Sequence, residues 1–149
     1  MKRILFLLMS VTIFSGCADA QKMKSSEVPA AVKSAFEKQY PDVKDVDWEK
    51  EDSNYEAGFE VNKIETSVVY DVSGNLIETE VEIAVSALPQ TAQDYIAKNY
   101  PKSKISEAAK ITDASGAITY EAEVGESDLI FDANGNFVKE IKEKADKED

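Results

Sequence analysis

Carboxylates are the residues whose number and spacing could do chemistry in this chain. Glu78, Glu80 and Glu82 alternate along one segment, and so do Glu121 and Glu123; Glu56 and Glu60 flank Gly58 in the same rhythm. A period of two puts such groups on one side of an extended strand, about 7 Å apart. Like charges so placed repel, and the strain is relieved by lysines, by ions or by a cationic partner. A polar outer face on a half-buried strand would show the same alternation, so simple solvation and partner binding both fit. Paired carboxylates can also perform acid–base catalysis, but only in a pocket that separates their pKa values. An open strand face offers no such desolvation. The chain has no His, so the usual proton shuttle and commonest metal ligand are missing. Neither Ser34 nor Ser103 sits in a recognisable Ser-Lys context. The expectation is a protein that is not an enzyme and has no cofactor, no catalytic residues and no dedicated metal ligands.

Asp71-Val72-Ser73-Gly74-Asn75 and Asp132-Ala133-Asn134-Gly135-Asn136 resemble calcium loops at first sight. An EF-hand loop places glycine sixth and closes on a bidentate Glu at position twelve. Here glycine is fourth and strand-like residues follow. Asn134-Gly135 between apolar-patterned segments is a hairpin signal, so both segments read as turns, with a weak ion site as the alternative.

The net charge is −12 over 149 residues. Lys2-Arg3 followed by an apolar run from Ile4 to Phe14 reads as an export signal, too short to span a bilayer comfortably. Two processing routes fit. Ala18-Asp19-Ala20 before Gln21 suits ordinary signal peptidase, giving a signal peptide of residues 1–20. Phe14-Ser15-Gly16-Cys17 resembles a bacterial lipobox, with Cys17 lipidated and residues 1–16 removed; Phe14 departs from the usual Leu, Val or Ile. Either route places the protein outside the cytoplasm, in the periplasm or on the outer membrane of a Gram-negative cell. Contact with membrane is expected only through a lipid at Cys17. Cys17 is the only cysteine, so no intramolecular disulfide can form. Cleavage before Gln21 removes Lys2, Arg3 and Asp19, leaving 15 Lys against 28 Asp and Glu, a net charge of −13 with no Arg. Nucleic-acid binding needs a basic surface that displaces counterions, and this chain has none.

The elements that position the carboxylates can be read from apolar spacing. Val28, Val32, Phe36 and Tyr40 fall four apart, as do Leu88, Ala92, Ile96 and Tyr100, each a helical stripe. Pro29 suits a first helical position, and Pro41 and Pro101 end the helices. The period then changes to two, predicting strands near 44–51, 54–62, 64–71 and 76–83, and again near 104–111, 117–124, 127–132 and 137–142. Short connections predict antiparallel hairpins. Tyr55, Ala57, Phe59 and Val61 should pack under a helix while Glu56, Gly58 and Glu60 face outward; Val46 and Trp48, and Ile118, Tyr120, Ala122 and Val124, follow the same rule. Trp48 is a core residue or an edge residue, since Ala108 holds the matching place. Val69 and Ile130 fall on the acidic side as apolar islands. The faces of 104–111 cannot be assigned, because the segment loses the register of its counterpart.

The chain also states its pattern twice. Val28-Pro29 and Tyr40-Pro41 return as Leu88-Pro89 and Tyr100-Pro101, 60 residues on. Tyr55-Glu56-Ala57 returns as Tyr120-Glu121-Ala122, and the Asp-x-x-Gly-Asn segment returns as well. The expected fold is α+β, a tandem repeat of one helix plus four antiparallel strands joined into one extended sheet with both helices on one face. Residues 21–27 form a polar spacer, 28–84 and 85–141 the two repeats, and 142–149 a charged tail.

An exported chain with this doubled pattern resembles the PepSY-like, β-lactamase-inhibitor-like (BLIP-like) proteins of Bacteroidetes envelopes, over about residues 28–141. The resemblance implies helix-plus-four-strand repeats whose sheet faces away from the helices. The β-lactamase inhibitor protein grips its enzyme with a concave sheet, and PepSY domains are proposed to restrain peptidases. The cysteines that form disulfides in that inhibitor are absent here, and no inhibitory loop matches residue by residue, so the resemblance implies a fold rather than a target. The expected function is a non-enzymatic exported binding module, an inhibitor or partner of an envelope hydrolase, that holds a protein or cationic peptide on an open acidic sheet face. Its contact residues would be Glu56, Glu60, Glu65, Val69, Glu78, Glu80, Glu121, Glu123 and Ile130. The alternatives are a calcium or other small-cation binder on the same carboxylates, and a structural envelope lipoprotein without a discrete ligand.

Overall fold

The computed structural model describes residues 21–142. Residues 1–20, on which the expected export signal and Cys17 fall, and residues 143–149 lie outside the described residues. The elements run β1 (Gln21–Met23), α1 (Ala30–Gln39), β2 (Asp47–Glu51), β3 (Asn54–Val61), β4 (Ile64–Tyr70), β5 (Leu76–Glu82), α2 (Gln90–Asn99), β6 (Ile105–Asp113), β7 (Ile118–Val124), β8 (Ser127–Asp132) and β9 (Phe137–Lys142). The nine strands form one antiparallel sheet in sequence order, β1 to β9.

Two features differ from the sequence reading. Residues 21–27, read as a polar spacer, contain β1, which pairs with β2, and a short 3-10 turn at Ser25–Glu27. Pro29 and Pro89 stand one residue before their helices, as caps, rather than at the first helical position. Each proline's carbonyl still accepts the first helical hydrogen bond, from Lys33 and from Gln93, both at 3.1 Å.

Both helices press their apolar stripes onto one side of the sheet. Under α1, Val28, Val32 and Phe36 pack on Trp48, Ala57, Phe59, Val68 and Tyr70. Under α2, Leu88, Ala92 and Ile96 pack on Ala108, Ala122, Val124, Leu129 and Phe131. Trp48 is a core residue: it is buried edge-on against Phe36, with ring centroids 5.4 Å apart. Ala108 at the matching place faces Ala122, and aromatic bulk enters that half through Tyr95, stacked on Phe137 at 4.6 Å.

The Asp-x-x-Gly-x turns fasten strands to helices. Asp71 Oδ1 accepts from the Ser73 and Asn75 N–H groups at 2.8 and 3.0 Å, and Asp132 Oδ1 accepts from Asn134 and Asn136 at 2.8 and 2.9 Å. Gly74 and Gly135 have φ of +81° and +80°, and a Cβ there would lie 2.6 Å from the Ala31 carbonyl oxygen and 2.7 Å from Pro89 Cβ. Glycine is therefore required twice over, by the left-handed backbone and by the close approach of the helix start. A third turn of the same design, at Asp113-Ala114-Ser115-Gly116, went unread in the sequence; its carboxylate accepts from the Ser115 and Ala117 N–H groups.

Candidate functional site

With one side of the sheet given to the helices, strand alternation sends the carboxylates to the other. The registers place them in three rows across the sheet. Glu49, Glu56, Val69, Glu78 and Asp113 form one. Gly58, Ser67, Glu80, Ile111 and Thr119 form the next. Glu82, Ala109, Glu121, Ile130 and Lys139 form the third. Glu65 stands opposite Glu60, and Glu123 opposite Asp128.

This face is not the open, solvated surface that alternation suggested. Val69 and Ile130 are each 3% exposed, Glu80 5%, and Glu56 and Glu121 6%. Ser67, Ala109, Ile111 and Asp128 are buried beside them. Glu65, Glu78 and Glu123 are half-buried and Glu60 is exposed, so they form a rim. The apolar islands are part of a floor: Val69, Ala109, Ile111 and Ile130 each stand next to a buried carboxyl in the register rows, beside Glu56, Glu121, Glu80 and Glu121 respectively.

Burial changes the chemistry of the central carboxyls. Burial and the nearby Glu51 charge push Glu56 from 4.5 up to about 8, against a smaller opposing pull from the Ser67 hydroxyl. Burial, then Asp128 and Glu78, push Glu121 up to about 8, with Lys139 opposing. Glu80 is raised well above its ordinary value by burial and then by Glu121, Glu56, Glu78 and Asp128. Glu78 is raised too, by burial and Asp113, and Lys139 again opposes. A carboxyl in this setting keeps its proton because the charged form loses water and meets like charge. Burial therefore favours neutral carboxylic acids at the centre over the dense negative field read from the sequence. Glu80 Oε1 is buried without a hydrogen-bond partner among the described residues.

The turns use their carboxylates within their own loops. Asp71 and Asp132 spend their oxygens on their own loops, the second oxygen accepting from the Asn75 and Asn136 side-chain amides at 2.8 and 2.9 Å. These bonds hold both carboxyls below the usual range. Among the described residues no three His, Cys, Asp or Glu side chains converge to hold a metal ion.

The strand that resisted assignment is now clear. Ala108 faces the helix-side core, while Ala109 and Ile111 stand in the carboxyl rows. A register shift between Ile105 and Ala108 breaks the alternation that sequence reading relied on. Ser67 and Asp128 were also missed, although each stands two residues from a predicted contact residue, Val69 or Ile130, on the same strand. A separate cleft of about 430 Å³ lies between α1 and the start of the sheet, lined by Phe36, Tyr40, Val43 and Trp48 with Lys33 and Lys44.

Residues 18–78 and 53–139 match the family described as "Putative beta-lactamase-inhibitor-like, PepSY-like". The chain belongs to the PepSY-like family. No match is found among the curated proteins. Solved structures share the PepSY-like fold at low identity. A "putative periplasmic" protein of Bacteroides eggerthii superposes with a TM-score of 0.70 at 15% identity, over 77% of this chain and 88% of its own. A DUF2874 family protein of Bacteroides uniformis gives 0.68 at 20%, over 76% and 88%. A BLIP-like protein of Bacteroides fragilis gives 0.63 at 21%, over 80% and 90%. Among the described residues of this PepSY-like chain, no helix is long and apolar enough to cross a membrane.

Proposed function

We propose that this PepSY-like protein is a non-enzymatic binding module of the cell envelope that holds a protein partner on the sheet face opposite its helices, and that the partner is an envelope hydrolase it restrains. The observation that carries the reading is the burial of Glu56, Glu80 and Glu121 on that face, with no lysine paired to them at hydrogen-bond distance among the described residues. Apolar residues at those places would be more stable, so the carboxyls cost stability that folding alone does not require. The contact set is Glu56, Glu60, Glu65, Val69, Glu78, Glu80, Glu121, Glu123 and Ile130. The rim steers a cationic surface and the Val69 and Ile130 floor supplies apolar contact. The family's inhibitor-like description and the periplasmic and BLIP-like names of its structural neighbours support the same reading. In this proposal the chain is two copies of one helix-plus-four-strand unit, residues 28–84 and 85–141, exported and held at the outer membrane by a lipid on Cys17.

The test is a low-salt pull-down from envelope extract with the native protein beside a variant carrying Glu78, Glu80, Glu121 and Glu123 as Gln. A hydrolase retained only by the native protein, and slowed by it in solution, supports the proposal. Equal retention by both baits removes the site assignment.

A further inference from the structure

We propose that the centre of this face is a seat for one alkylammonium group, a lysine side chain of the partner, which enters at Glu80 in exchange for a carboxyl proton. The inference rests on the binding reading above and specifies its ligand. Glu80 Oε1 is an acceptor with no donor among the described residues, on a side chain 5% exposed. Leaving such an atom unpaired is costly, and a donor from outside removes the cost. Ile111 stands directly opposite Glu80 across the β5–β6 ladder, Val69 opposite Glu78, and Ile130 opposite Glu121. That floor suits the methylene stem of a lysine, with the ammonium at the carboxyls. A bare divalent cation needs six or more oxygens around it, and no such set converges here among the described residues.

The exchange follows from the groups around Glu80. Glu78 lies on its own strand, Glu56 on β3, Glu121 on β7 and Asp128 on β8, all acting on it. Ser67 on β4 and Ile111 on β6 flank it and carry no charge. Asp113 faces Glu78, and Lys139 of β9 acts on Glu78 and Glu121. An ammonium seated here stabilises the ionised form. One proton then leaves a carboxyl for solvent as one cation enters, and the charge of the site is conserved.

The probe is acetylated, amidated tetralysine, titrated calorimetrically into the protein at several pH values and in two buffers of different ionisation enthalpy. The expected result is release of close to one proton per peptide near pH 7, with affinity rising about tenfold per pH unit below the carboxyl titration. Glu80→Gln is expected to cut the proton release and to flatten the pH dependence. Glu37→Gln, exposed on α1 on the helix side of the sheet, is expected to leave binding, proton release and pH dependence intact. Thermal melts check that each variant folds. Binding without proton release, or release unchanged in Glu80→Gln, overturns this inference while leaving the acidic-face reading in place. No binding of the peptide by the native protein overturns that reading as well. Calcium chloride displacing protons at lower concentration than the peptide overturns the choice of alkylammonium as ligand.

Discussion

Glu56→Gln separates a buried neutral acid from a solvated carboxylate. The folded-state pKa of Glu56 is raised from 4.5 to about 8, so the folded protein holds this proton more tightly than the unfolded chain. Its contribution to stability is complete below pH 4.5, falls as pH rises from there to about 8, and is then flat. A shift of this size corresponds to an upper bound of about 5 kcal/mol lost by alkaline pH. Relaxation around the new charge reduces the observable loss to about 2 kcal/mol. Glutamine has the shape of the neutral acid and does not titrate. The variant should match the native protein at pH 4.5 and melt about 5–10 °C above it at pH 9. The assay is thermal and urea unfolding followed by circular dichroism at pH 4.5, 7 and 9. Parallel curves at all three values, or a variant less stable than native at pH 9, would refute the reasoning, because Glu56 would then be ionised and comfortable in the folded state.

Other perturbations test the frame that holds this face. Gly135→Ala should cost about 2–3 kcal/mol in urea unfolding, from a positive φ and collision with the start of α2, while Gly116→Ala, with open space around it, should cost only about 1 kcal/mol. Asp132→Ala should lower the melting temperature at pH 7, and the gap should close as pH falls through the depressed pKa of the Asp132 carboxyl, since its stabilisation exists only in the ionised form. Phe36→Ala should cost about 3–5 kcal/mol, and because Trp48 is the only tryptophan, its emission should shift to longer wavelength as its packing partner disappears.

The fold was legible because its signals are local. Val32, Phe36 and Tyr40 share a helical face whatever lies beneath them, and Tyr55, Ala57 and Phe59 alternate with Glu56 and Gly58 on any strand. Alternation therefore assigned the side of the sheet correctly for Glu56, Glu78, Glu80 and Glu121. It could not say how wet that side is. Burial of Glu80 depends on what stands over it and beside it, on β3, β4, β6 and β7, and only Glu78 and Glu82 of its own strand are visible locally. The same limit hid Ile111, where a bulge shifts the period by a residue, and β1, where Gln21-Lys22-Met23 has no apolar alternation and forms a strand only because β2 offers it an edge.

The two sides of the sheet do different work. The helix side holds the apolar clusters, and the Asp71 and Asp132 turns lock each helix start to a strand end. Replacing Glu80 by an apolar residue of similar size would remove a buried acceptor without a partner among the described residues, and replacing Glu56 or Glu121 would remove a buried carboxyl; both changes favour stability. Truncating Phe36 or Leu129 would instead open a cavity, and adding a side chain at Gly135 would collide with the start of α2. On the binding reading proposed above, these residues are held for a ligand that turns a costly acid into a paired carboxylate. Stability and binding then oppose each other at the same atoms: the substitution that most stabilises the free protein, at Glu80, is the one that most weakens its grip on a cationic partner.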